Sequence, residues 1–128
     1  MNPFPAPIHF DNHGMVEGKR TIILTEDFYA ITSLGIIKSC KGAISDGCSV
    51  PRICHSIVGH PFDSFLEATV IHDELYSPRN TEYSRAEADL ILKELMWNCG
   101  EPLWKLVSFY SALRLFGGKN FKGKPSFL

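Results

Sequence analysis

The chain has 128 residues, of which 45% are hydrophobic and 21% charged, with a formal net charge of -1. That length holds one hydrophobic core but not two, and the balance is that of an ordered globular protein rather than a disordered chain. A charge so near zero supplies no global field for nucleic acid or anionic lipid, so no specific nucleic-acid binding is expected.

In chain order, residues 1–15 carry three of the eight prolines and no hydrophobic period. They are expected to form an extended Pro-rich arm that docks on the domain or on a partner. The start Met1-Asn2-Pro3-Phe4-Pro5 has neither the basic start nor the apolar run of a secretory signal. The four cysteines, Cys40, Cys48, Cys54 and Cys99, are therefore expected to be reduced and partly buried, and their spacings include no C-x-x-C pair of the zinc-knuckle kind. The β-branched run Thr21-Ile22-Ile23-Leu24-Thr25 predicts a strand, Glu26-Asp27 a turn, and Phe28-Tyr29-Ala30-Ile31-Thr32 a second strand completing a hairpin. Ser33-Leu34-Gly35 turns the chain into Ile36–Cys40, and Lys41-Gly42 leads to Ala43-Ile44. The expectation is a small antiparallel sheet of three or four strands over residues 20–50.

Three helices should cover it. The first is expected over 64–76, with Asp63 or Ser64 as N-cap, Ser64 and Glu67 as a capping box, and Ser77-Pro78 as its stop. The second is expected over 84–99, with Ser84 and Glu87 as a second capping box and Gly100 as a left-handed cap. The third, over 102–116, has Pro102 in its first turn and an apolar stripe of Leu103, Leu106, Val107, Tyr110 and Leu113. Lys105, Ser108, Ser111 and Arg114 interrupt it, so no transmembrane segment is expected and the protein reads as soluble. The fold class is α+β in a single domain over 1–128, with a basic tail at 117–128 that carries Lys119, Lys122 and Lys124.

Chemistry concentrates on the first two helices. His72 shares a face with Phe65, Ala68 and Thr69 and so points inward, and Tyr76, four residues on, stands beside it, with Glu67 and Glu74 on the wet side. Asp89 lies three and seven residues before Leu92 and Met96, which puts a carboxylate into the apolar seam of the second helix. A buried acid and a buried imidazole each need a partner, and a short connection between the helices lets Asp89 meet His72 and Tyr76. That arrangement has the form of a dyad, in which the carboxylate orients one ring nitrogen and the other takes a proton from water. The same three groups also read as a satisfied polar core network that fixes helix pairing. Asp73 is left for a divalent cation, calcium or zinc, with Asp46 and His72 as further ligands, although Asp46-Gly47 is also an ordinary turn pair. Ser49 and Arg52 are candidates for gripping substrate. Ser49 lacks a Gly-x-Ser-x-Gly elbow, and Arg52 serves equally as a partner for Asp46 or Asp89. His55 and His60, in a loop with Cys54, are weaker zinc candidates.

The run Ile71-His72-Asp73-Glu74-Leu75-Tyr76, with Ser84-Arg85, Ala88-Asp89, the upstream Ser45-Asp46-Gly47-Cys48-Ser49-Val50-Pro51-Arg52 and the downstream Tyr110, Leu113-Arg114 and Gly117, resembles the bacteriophage and prophage family catalogued as domain of unknown function 1353. The similarity spans roughly residues 20 to 118. It implies a phage origin and an α+β domain, and brings no activity. More distantly, His-Asp-x-x-Tyr on one helix facing an Asp on the next is similar to the secreted and parvoviral-capsid phospholipases A2. That likeness implies His72 as base, Asp73 as a calcium ligand, and Tyr76 and Asp89 as the groups that hold the imidazole. The glycine-rich calcium loop and framework disulfides of those enzymes have no clear counterpart here.

The expectation is thus a small phage-encoded, hydrolase-like protein acting on a host-envelope component, lipid ester or peptidoglycan. The rival is a non-catalytic virion or tail protein, made in the host cytoplasm and docked to other virion proteins through the N-terminal arm and the C-terminal tail.

Overall fold

The computed structural model describes residues 3–16, 19–45 and 66–123. Asp46, Ser49, Arg52, His55, His60, Cys48, Cys54 and the expected helix start at Asp63-Ser64 lie outside the described residues.

Five strands come first: β1 (Phe10–Val16), β2 (Lys19–Leu24), β3 (Phe28–Thr32), β4 (Gly35–Ser39) and β5 (Ile44–Ser45). Three helices follow, α1 (Leu66–Tyr76), α2 (Arg85–Asn98) and α3 (Leu103–Phe116), and a 3-10 turn at Gly117–Asn120. The α+β class holds, but the strand pairing differs from the expected single sheet. β2 is the middle strand of a sheet in the order β1-β2-β5, while β3 and β4 pair with each other. Both edges of β2 are therefore taken, and Glu26-Asp27 links two sheets instead of turning a hairpin. The Asp27 carboxylate accepts from the Lys41 N–H at 2.7 Å, tying that link to the turn before β5.

Strand β1 replaces the outer half of the expected arm. Its register with β2 shifts between Asn12 and Gly14, and Gly14 has φ +87°, so an extra residue breaks the alternation that marks a strand in sequence. The Thr21 hydroxyl donates to the Gly14 carbonyl at 2.8 Å and closes the bulge. The residues before β1 also pack on the chain itself. Phe4 is buried, with its ring stacked 5.4 Å from that of Phe28, and the Pro3 carbonyl accepts from the Ile31 N–H.

Helix α2 follows its local signals closely. The Ser84 hydroxyl accepts from the Glu87 N–H and the Glu87 carboxylate accepts from the Ser84 N–H, a reciprocal cap. At its far end Gly100 has φ +85°, and the N–H groups of Gly100 and Glu101 donate to the carbonyls of Trp97 and Met96, which completes a Schellman motif. Helix α3 buries only part of the expected stripe, Leu106 and Leu113, and adds Phe109 and Ala112, while Leu103 and Val107 are exposed. Apolar residues occupy most of the circumference of α3, so periodicity alone does not choose its inner side.

The core joins Phe4, Ile22, Leu24, Phe28 and Ile37 of the β region to Ile71, Leu75, Ile91, Leu95, Met96 and Phe109 of the helices. Cys40 and Cys99 are exposed rather than partly buried. Among the described residues no helix is long and apolar enough to cross a membrane.

Candidate functional site

Helices α1 and α2 are joined by a connection whose shape depends on the buried Asn80. Its amide donates to the carbonyls of Leu75 and Tyr83, both at 2.7 Å, and its oxygen accepts from the N–H groups of Glu82 and Tyr83. All four hydrogen-bonding positions of one side chain are thereby used to turn the chain. The turn brings Asp89 of α2 against α1.

His72 and Asp89 are both completely buried. The Asp89 Oδ1 lies 3.0 Å from His72 Nε2 and accepts the Tyr76 hydroxyl at 2.5 Å. Its Oδ2 accepts from Arg114 Nη1 at 2.8 Å, and Arg85 Nε stands 4.0 Å away. The expected contact of Asp89 with His72 and Tyr76 is therefore present, and two guanidinium groups extend it. Burial pushes the Asp89 carboxyl up, but the hydrogen bonds from His72, Tyr76 and Arg114 outweigh it and hold the group below its ordinary value. Tyr76 is displaced the other way, well above its ordinary value, first by burial and then by its hydrogen bond to Asp89.

These directions assign the protons. An ionised Asp89 only accepts, so His72 Nε2 carries a hydrogen and donates it to Oδ1. The Tyr76 phenol stays protonated and donates. The arrangement can orient a base and stabilise an imidazolium, and it can equally tie three helices together.

Arg85 serves the second role directly: its Nη2 donates to the carbonyls of Leu113 and Arg114, each at 2.7 Å, and so caps the end of α3. Its i,i+4 spacing to Asp89 is a signal that could have found it in the sequence. Arg114 left only the faint signal of a lone cation near the end of an apolar helix.

The far side of Tyr76 is closed by the tail. Phe121 meets its ring edge-on at 5.1 Å, and the Lys122 N–H donates to its carbonyl at 2.7 Å. Gly117 passes so near that a Cβ there would stand 3.0 Å from the Tyr76 hydroxyl. Residues 117–123 are thus packed structure rather than a free basic tail.

Asp73 is half-buried and accepts the hydroxyl of Ser45, while Asp46, its expected companion at a cation, lies outside the described residues. Among the described residues no group of three His, Cys, Asp or Glu side chains is placed to hold a metal ion. Glu74, expected on the wet face, is buried instead, because β4 packs over that side of α1. It accepts from the Ser39 hydroxyl at 3.2 Å and from Arg79 Nε at 3.0 Å.

The family model described as protein of unknown function (DUF1353) matches residues 22–113. No curated protein and no solved structure matches the chain.

Proposed function

We propose, for a chain that belongs to the DUF1353 family of proteins of unknown function, that it is a phage-encoded hydrolase in which His72 is the general base and Asp89 and Tyr76 hold it in place. The observation that carries this reading is one carboxylate oxygen shared between His72 Nε2 at 3.0 Å and the Tyr76 hydroxyl at 2.5 Å. In this reading His72 takes a proton from water, the hydroxide adds to a carbonyl carbon, and the imidazolium returns the proton to the leaving group. Asp89 offsets the charge that appears on the ring during that cycle. Asp73, with Asp46, would hold a calcium or zinc ion that polarises the carbonyl, and Ser49 and Arg52 would contact the substrate. The bond belongs to a host-envelope component, a lipid ester or peptidoglycan, in keeping with the likeness of the His-Asp-x-x-Tyr run to phospholipases A2.

The complete burial of His72 and Asp89 favours a second reading: a closed polar network that fixes helix pairing in a non-catalytic virion protein. Assays on phospholipid vesicles and on peptidoglycan, with calcium or zinc supplied, separate the two. The hydrolase reading expects turnover that drops by about 10²-fold or more in His72→Ala. Turnover unchanged in that variant removes His72 from the chemistry, and no turnover by the wild-type protein on either substrate leaves the network reading in place. Metal analysis of the purified protein tests the cation separately, and the absence of stoichiometric calcium or zinc withdraws it.

A further inference from the structure

The face of α2 that Asp89 does not use borders a concavity of about 550 Å3, lined by the Ser33-Leu34 turn, by α2 through Leu90 and Trp97, and by α3 through Leu103 and Val107. Its volume is that of a small-molecule site, and it is almost wholly apolar. Leu103 is 63% exposed and Trp97 59%, which is costly for large apolar side chains grouped on one surface.

The concavity is held open by hydrogen bonds at its rim. The Ser33 N–H and hydroxyl both donate to the Glu94 carboxylate, and the Tyr83 hydroxyl donates to the Leu34 carbonyl at 3.3 Å. The turn that forms one wall is therefore pinned to α2 on one side and to the α1–α2 connection on the other.

The charges at the rim say what kind of molecule fits. Lys93 has its ammonium 4.6 Å from the centre of the Tyr110 ring, and Glu94 is engaged by Ser33. Lys93 and Glu94 both line the groove and are opposite in charge, so its rim has no net field to draw in an ion. Glu94 retains acceptor capacity, since an ionised carboxylate offers about four lone-pair sites, so it suits a hydroxyl donor and disfavours an anionic head.

We propose that this groove binds the hydrocarbon chain of a neutral lipid that bears a hydroxyl group, of the monoacylglycerol class, with the hydroxyl end at Glu94. The proposal is independent of hydrolysis at His72, and either can fail without the other.

The sequence holds two tryptophans, so in a Trp104→Phe protein Trp97 alone reports on the groove. Titrating that protein with dispersed 1-monooleoylglycerol should shift the Trp97 emission to shorter wavelength and saturate at one equivalent, with oleate binding at least ten-fold more weakly. Val107→Glu and Leu103→Ser, both at exposed positions, should each weaken binding at least ten-fold. Thermal unfolding of both variants checks that they fold, and either one, if folded, suffices. An unshifted emission, unchanged affinity in a folded groove variant, or oleate binding as tight as the neutral lipid overturns the assignment. Dimerisation of the lipid-free protein that buries Trp97, read by sedimentation, also overturns it and gives the face to a second copy.

Discussion

Helix α2 has two contrasting sides. Toward α1 it presents Asp89, a completely buried charge that contacts an imidazole, a phenol and a guanidinium. Toward the groove it presents Leu90 and Trp97, apolar groups left 43% and 59% exposed. Each side reverses the usual rule that charge faces water and hydrocarbon faces inward, and each does so with a different energetic consequence. The polar seam is stabilising only while every member is present, whereas the groove already bears the cost of exposure and gains only when something covers it.

That contrast is sharpest under substitution. Asp89→Ala should cost about 3–5 kcal/mol in urea unfolding, because it strands a buried imidazole, a phenol and the guanidinium of Arg114. A loss below about 1 kcal/mol breaks the comparison. The pH dependence follows from the same group. The folded-state pKa of Asp89 is lowered, so its contribution is present above the ordinary aspartate value of 3.8 and is lost as pH falls through the lower folded value. Asp89→Asn should flatten this part of the acid-unfolding profile.

Tyr76→Phe removes one donor to a charged acceptor and should cost about 1.5–3 kcal/mol, read in the same unfolding experiment. Gly117→Ala is milder, about 1 kcal/mol, because the new methyl would press on the Tyr76 hydroxyl. Gly117 has an ordinary φ of -80°, so that loss would come from space and not from backbone strain. The smallest effect belongs to the groove. Leu103→Ser should change stability by no more than about 0.5 kcal/mol while it changes ligand binding. If it proves as damaging as Tyr76→Phe, the groove is core and the contrast disappears.

Local chemistry was the part most legible in the sequence. The Ser84–Glu87 box, Gly100 and the β3–β4 hairpin are each written in a few adjacent residues. The meeting of His72, Tyr76 and Asp89 followed from helical spacing and the need of buried polar groups for partners. What escaped depends on distant contacts. β1 was hidden by its bulge at Gly14, and the partner of β2 was decided by residues on either side of it rather than by the nearest strand. Glu74 looked solvent-facing because nothing on its own helix reveals β4. Arg114 is 25 residues from Asp89, and no periodicity links them. Asn80 sits in a stretch that reads only as a turn, although its side chain shapes the whole connection.

Phe4 gives the N-terminal segment a role beyond that of a lead-in. The exposed residues Pro5, Ala6 and Pro7 separate this buried ring from β1, so the ring is tethered to the sheet by a short surface strap. Cleavage of that strap by a protease would free the peptide bearing Phe4 and leave the ring of Phe28 facing a void. Phe4 thus acts as a removable stopper, and its loss would uncover the core from the end opposite to α3 in the sequence.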